Sequence, residues 1–254
     1  MNIPHRYLYA LLLLRYAKGC TTVVVNATGG GTVIGRTMEL GIPLPDRASN
    51  TIWSLVATQR DEKRFGYAAI SAALGGATSD AFVVEGMNEK GFTVSVQTLQ
   101  QSVYENHTTP APQPVTFDRV AAYLLQRCAS VADVAAALRA IIVVDNPLFA
   151  KLFGRCHWSV ADASGTSAVV EYLEGRLSIH DNSRIGVMTN DPHYLWHLHN
   201  LNGYAAYPTT RNQAPWGLDA VETAVGTVPG GPPGHGLNTR GLPGGTTPPD
   251  RFVK

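Results

Sequence analysis

A cysteine at position 20 follows a segment, MNIPHRYLYALLLLRYAKG, that reads as removable. Cleavage after Gly19 would put both halves of a nucleophilic catalyst on one residue. The thiol attacks, and the new α-amine, with an ordinary pKa of about 7.7 to 8.0, accepts its proton near neutral pH. Without cleavage, Cys20 reads as a small buried hydrophobe. In the leading segment, Arg6 precedes an apolar stretch from Tyr7 to Leu14, and Ala17 and Gly19 are small residues at the third and first positions before Cys20. That pattern fits a secretory signal, whereas Arg15 and Lys18 fit it poorly, so a propeptide, a misassigned start or a folded element stay open. A signal would send the protein to the periplasm or outside the cell; otherwise it belongs in the cytoplasm. The apolar stretch is far below the roughly 20 residues that span a bilayer, so no membrane span is expected.

The histidines His193, His197 and His199 are the second place where spacing suggests chemistry, because residues four apart share a helix face and can hold a metal. No carboxylate or further histidine completes such a set, and no metal or other cofactor is expected. Asn190-Asp191-Pro192 reads on its own as a turn, Arg36 as a solvated charge on a hairpin, and Cys128 and Cys156 as packing residues. Three widely spaced cysteines exclude a disulfide framework and a four-thiolate zinc site. A net charge of +1 excludes a basic field that would bind nucleic acid. Asn106-His107-Thr108 matches a glycosylation sequon.

Around these residues, Cys20 to Leu40 alternates β-branched residues about Gly29-Gly30-Gly31, a β-hairpin pattern. A second apolar run spans Phe65 to Leu74. Ala81 to Val84, the turn Glu85 to Gly91 and the alternating Phe92 to Val96 read as another hairpin, with one buried face. After Pro110, Pro112 and Pro114, Thr116 can cap a helix carrying Val120, Tyr123, Leu124 and Arg127. Ser130 with Asp133 then opens a second helix with Val131, Val134, Ala135 and Leu138 inward. Strands return at His157–Asp162, Ser167–Tyr172, Arg176–His180 and Gly186–Thr189, and the chain from Tyr207 onward reads as irregular around a Pro/Gly cluster. Strands, a helix pair and strands in hairpin order predict an α+β fold with antiparallel sheets. With 44% hydrophobic residues over 254, the chain has enough core for such a domain.

Five segments in order carry a family likeness: Cys20-Thr21-Thr22; Gly35-Arg36-Thr37-Met38-Glu39; Glu85 to Gly91; Val187 to Pro192 with Trp196-His197 and Asn200-Leu201; and Gly241-Leu242-Pro243-Gly244 with Arg251-Phe252. In order and spacing they resemble the choloylglycine hydrolase and penicillin V acylase family. The resemblance implies an N-terminal-nucleophile hydrolase with a four-layer αββα sandwich over residues 20–254, preceded by a removable segment, 1–19. The implied activity is cleavage of linear, non-peptide amides such as conjugated bile acids, penicillin V or N-acyl homoserine lactones, through a thioester. By the same likeness Cys20 is the nucleophile and its α-amine the base, with Arg36 beside the thiol. Glu39 stands where many members have an aspartate that holds the α-amine. Asn190 donates to the oxyanion, and Arg251 is a second active-site arginine. The family's other oxyanion asparagine falls near Thr98, so Thr98 or Gln97 is expected to supply a hydroxyl, an amide or a backbone N–H there.

The implied partner is a small-molecule amide; self-association is compatible with this reading. Members usually continue well past the last motif, and Gly245 replaces the aspartate common after Leu-Pro-Gly. The likeness therefore also implies a C-terminally truncated sandwich, with a catalytically inactive, at most ligand-binding, family member as the alternative.

Overall fold

The computed structural model describes residues 19–27, 30–39, 51–74, 82–106, 113–202, 218–223 and 226–230. The chain begins with β1 (Gly19–Asn26), β2 (Thr32–Glu39), β3 (Thr51–Thr58), β4 (Tyr67–Leu74), β5 (Phe82–Asn88) and β6 (Thr93–Thr98). A helical region follows: β7 (Pro114–Thr116), α1 (Val120–Arg127), α2 (Val134–Arg139), β8 (Ile142–Val144) and α3 (Pro147–Phe153). Next come β9 (Cys156–Ala161), β10 (Ser167–Leu173), β11 (Arg176–Asp181), β12 (Val187–Thr189) and α4 (Tyr194–Asn202), then β13 (Leu218–Thr223) and β14 (Gly226–Gly230).

Seven antiparallel strands form the main sheet, in the order β11-β10-β9-β6-β5-β4-β3. A second sheet, β12-β1-β2, carries the hairpin that begins at Cys20. The expected α+β fold with antiparallel sheets is what forms. Side-chain alternation divides the central strands between two layers. Val94, Val96, Trp158, Val160, Val170 and Tyr172 join Phe117, Leu124 and Leu125 in the helix-side core. The intervening Gln97, His157 and Glu171 are buried on the other face. β6 is therefore buried on both faces, not on one as its alternating sequence suggests, because its polar residues meet a second sheet instead of water.

The Ser130–Asp133 capping box is present and leads through a 3-10 turn into α2. Thr116 makes no side-chain cap, since it is the last residue of β7 and pairs with Val144 of β8 in parallel register. Residues after Tyr207 are not uniformly irregular: β13 and β14 pair as an antiparallel hairpin with a register shift between Leu218 and Val221. Among the described residues no helix is long and apolar enough to cross a membrane.

The Glu85-to-Gly91 motif locks the helix layer onto the sheet. A Cβ on Gly86 would lie 2.7 Å from Leu125 Cδ1, so glycine is what permits α1 to approach β5 this closely. Two residues on, buried Asn88 accepts from the Lys90 and Phe92 N–H groups at 3.0 and 3.1 Å and closes the turn. Its Nδ2 donates at 2.8 Å to the carbonyls of both Leu125 and Cys128, which the end of α1 leaves without helical partners. Asn88→Ala should cost about 3 kcal/mol in urea-unfolding free energy, since it strands two buried carbonyls and two turn amides.

Candidate active site

Register places the first site residues together. Cys20 lies opposite Met38, and Thr22 opposite Arg36, so these alternate residues of β1 and β2 share a face. Cys20 and Thr22 are buried, whereas the intervening strand positions include the exposed Val23 and Val25. A sixteen-residue separation thus becomes a neighbour relation across one hairpin: Arg36 Nη2 is 3.6 Å from Cys20 Sγ.

Arg36 is held by backbone. The β5–β6 ladder ends at Glu85 opposite Ser95, and beyond it Val84 and Val96 are not paired across the two strands. The guanidinium enters the split, donating from Nη1 to Val84 O at 3.0 Å and from Nη2 to Val96 O at 2.6 Å. Its side chain is 8% exposed, and Nε lies 3.8 Å from Glu85 Oε2, which also accepts from Ser95 Oγ. Burial outweighs Ser95 and Arg36 and pushes the Glu85 carboxyl above its ordinary pKa. The cation is fixed next to the thiol by a strand splay, a geometry a lysine could not reproduce with two directed bonds. Arg36→Met should lower the urea-unfolding free energy by about 2 kcal/mol, since it leaves the Val84 and Val96 carbonyls without their side-chain donor.

On the other edge of β1, the last residue of β12 and the one after it reach Cys20. Thr189 Oγ1 donates to Cys20 O at 2.9 Å. The Cys20 backbone N–H donates to Asn190 Oδ1 at 2.5 Å. Asn190 Nδ2 donates to Thr98 O at 2.9 Å and to Thr98 Oγ1 at 2.7 Å. The Asn190 side chain therefore bridges the nitrogen of Cys20 and the end of β6. Gln97 is nearby but committed elsewhere: its amide oxygen accepts from Thr22 N at 2.9 Å and Thr22 Oγ1 at 2.7 Å, and its nitrogen faces Thr189 O at 3.3 Å. Of the two residues expected near the second oxyanion position, Thr98 is the one in contact with Asn190.

Glu39 pairs with Gly19 in the β1–β2 register, but its side chain lies outside the described residues, as does all of Arg251. Residues 1–18, 40–50 and 75–80 also lie outside them. His193, His197 and His199 do not converge. His197 is 1% exposed with Nε2 2.9 Å from Asn190 O, and burial pushes its pKa down to about 4; His199 is exposed. Among the described residues no group of three or more His, Cys, Asp or Glu is placed to hold a metal.

Cys20, Arg36 and Thr98 open onto a cavity of about 40 Å³ walled by apolar side chains, among them Met38, Phe82, Val84 and Phe153. That space holds on the order of two or three waters. Cys156, buried as expected of a packing residue, also lines this cavity. Burial and the neighbouring Cys20 thiol push its pKa above the ordinary thiol value, outweighing Arg36. Sequence reading missed the Val84 and Val96 carbonyls, Glu85 and Cys156. The hairpin turn at Asn88–Gly91 located β5 and β6, but the point at which their ladder opens has no composition signal.

The sequence model of the linear amide C-N hydrolases, choloylglycine hydrolase family, matches residues 20–254. A bile salt hydrolase/transferase from Clostridium perfringens is 34% identical over 174 residues, which is 67% of this chain and 50% of that protein. A penicillin V acylase from Pectobacterium atrosepticum is 32% identical over 139 residues, 53% of this chain and 37% of the relative. In the matched regions the chain spans half or less of the length of these two curated relatives. Among solved structures, a conjugated bile acid hydrolase from Clostridium perfringens superposes over 92% of this chain and 70% of its own, with a TM-score of 0.66 at 23% identity. A penicillin V acylase from Agrobacterium tumefaciens superposes over 75% and 60%, with a TM-score of 0.53 at 25% identity.

Proposed function

The chain belongs to the choloylglycine hydrolase family of linear amide C-N hydrolases, and on that premise we propose that it cleaves the amide of an acylated small molecule with Cys20 as an N-terminal nucleophile. The observation that carries this reading is the convergence on one residue of Arg36 at the thiol and Asn190 at the nitrogen. In the full chain that nitrogen is a peptide N–H and cannot act as a base. Removal of residues 1–19 converts it to an α-amine on the same strand, within reach of Asn190 Oδ1.

The α-amine then takes the thiol proton, with Arg36 favouring the thiolate, and sulfur attacks the amide carbon. Negative charge collects on the former carbonyl oxygen. Asn190 Nδ2 keeps one N–H on the Thr98 carbonyl and turns the other from Thr98 Oγ1 to this oxygen, as one donor. Thr98 Oγ1, released from that bond, turns its own O–H into the cavity as a second, in place of the asparagine most members carry. Collapse of the intermediate breaks the C–N bond, the α-ammonium gives its proton to the leaving amine, and the acyl group remains as a Cys20 thioester. Water, deprotonated by the same amine, releases the carboxylic acid and restores the thiol. Glu39 and Arg251 complete the proposed set as the anchor of the α-amine and a second cation.

Chains with and without residues 1–19 should be compared on penicillin V, glyco- and tauro-conjugated bile salts, and N-acyl homoserine lactones. Turnover of at least one of these amides only by the chain beginning at Cys20 is the expected result. Equal turnover by both chains would overturn the mechanism, and none by either would overturn the activity.

A further inference from the structure

We propose that His197 is a positioning residue that sets the Asn190 carboxamide against the Cys20 nitrogen; the inference deepens the hydrolase reading and rests on it for its catalytic consequence. Asn190 follows Thr189, the last paired residue of β12, so its carbonyl lies beyond the strand ladder. Among the described residues no strand pairing continues to its backbone, so the direction in which its side chain leaves the chain depends on what holds that carbonyl. His197 Nε2 donates to that carbonyl at 2.9 Å, and both residues are at most 2% exposed.

The helix that carries His197 is itself anchored. The Tyr194 N–H, at the start of α4, donates to Glu171 Oε1 at 2.9 Å, and the same oxygen is 2.9 Å from His157 Nδ1. Glu171 and His157 sit on the central strands β10 and β9 and are 0% and 1% exposed. Burial works to raise the Glu171 pKa, but the hydrogen bond and charge of His157 and the Tyr194 N–H hold it below its ordinary value. A connected path therefore runs from the centre of the main sheet through the first turn of α4 to the residue that touches Cys20. A histidine filling core volume would need no donor aimed at this carbonyl; a positioning residue does.

The bond from the Cys20 N–H to Asn190 exists in the full chain, so it can be read without turnover. In ¹⁵N-labelled full chain, His197→Phe should speed hydrogen exchange of the Cys20 amide about tenfold, the effect of loosening one hydrogen bond, while the β9 and β10 amides keep their protection. His197→Gln, which retains a side-chain N–H donor, should restore slow exchange. If His197→Phe loses the β9 and β10 protection, His197→Met supplies the same donor deletion. In chains beginning at Cys20, the donorless variant should lower kcat about 100-fold with KM little changed, as a small misplacement of a reacting group does, and His197→Gln should recover it. Unchanged Cys20 exchange in the donorless variant, or a glutamine variant no better than it, overturns the proposal. An inactive wild type would overturn the hydrolase reading alone, because the exchange comparison still decides the role of His197.

Discussion

Cys20→Ala, in a chain beginning at residue 20, is expected to lower kcat by about 10⁶-fold, the scale of loss when a hydrolase is deprived of its nucleophile. The substitution is well suited to isolate chemistry from folding. It removes a single sulfur from a site next to a small cavity and leaves in place the backbone atoms that bond Asn190 and Thr189. Unfolding should shift by about 1 kcal/mol, and the α-amine, Arg36 and Asn190 all remain. Cys20→Ser should rescue little, since a hydroxyl is far less acidic than a thiol and Arg36 has no comparable anion to favour. Steady-state turnover with a calibrated urea-unfolding curve for each variant checks both halves of this expectation. Residual activity near that of wild type in the alanine variant would move the nucleophile elsewhere, with Cys156, which lines the same cavity, the first place to look.

Asn190→Ala is expected to cost about 10² to 10³ in kcat, the usual consequence of deleting a side-chain donor to an oxyanion. Here one side chain serves two purposes. Its nitrogen donates to Thr98 and, in the proposed mechanism, to the developing charge, while its oxygen accepts from the Cys20 nitrogen. The alanine variant should therefore lose transition-state stabilisation and also the fixed direction of the amine that moves the proton. KM should change little, because neither loss weakens binding of the uncharged amide. A variant that raises KM while preserving kcat would place Asn190 in substrate binding instead. Thr98→Val provides the matching comparison: if Thr98 is the second donor, its loss should be of the same kind and smaller, because Asn190 is left to donate alone.

Local pattern made some of this structure legible and left other parts silent. The Cys20–Glu39 hairpin was readable because β-branched residues alternate on both sides of a glycine turn, and the register of that hairpin brings Arg36 to the thiol. The Ser130–Asp133 box was readable because the capping partners are three residues apart. By contrast, β3 goes unassigned although Ile52, Trp53 and Val56 are strand formers, and α4 shows no clean apolar stripe, with Trp196 and His199 exposed beside buried Tyr194 and His197. The short β7–β8 pair depends on two segments brought together in parallel across the helices, which no local window contains.

At the site, the family likeness supplied roles for Cys20, Arg36 and Asn190 that their local patterns did not. Arg36 looked like a surface charge and is largely buried, because the pair of carbonyls that hold it comes from strands 48 and 60 residues further along the chain. Asn190 looked like a turn residue; its importance lies in a separation of 170 residues from the nitrogen it touches. His197 looked like half of a metal pair and instead bonds a backbone carbonyl. In each case the deciding partner is remote, and long-range register, not composition, brings it into contact.

The most direct test of the N-terminal-nucleophile mechanism is intact-protein and peptide mass spectrometry after rapid acid quenching with an amide substrate. A chain beginning at Cys20 should carry the substrate's acyl mass on Cys20, labile to hydroxylamine as a thioester is, and the chain that retains residues 1–19 should carry none. An acyl group on another residue, or turnover without any adduct by a chain whose Cys20 is still an internal residue, would contradict it.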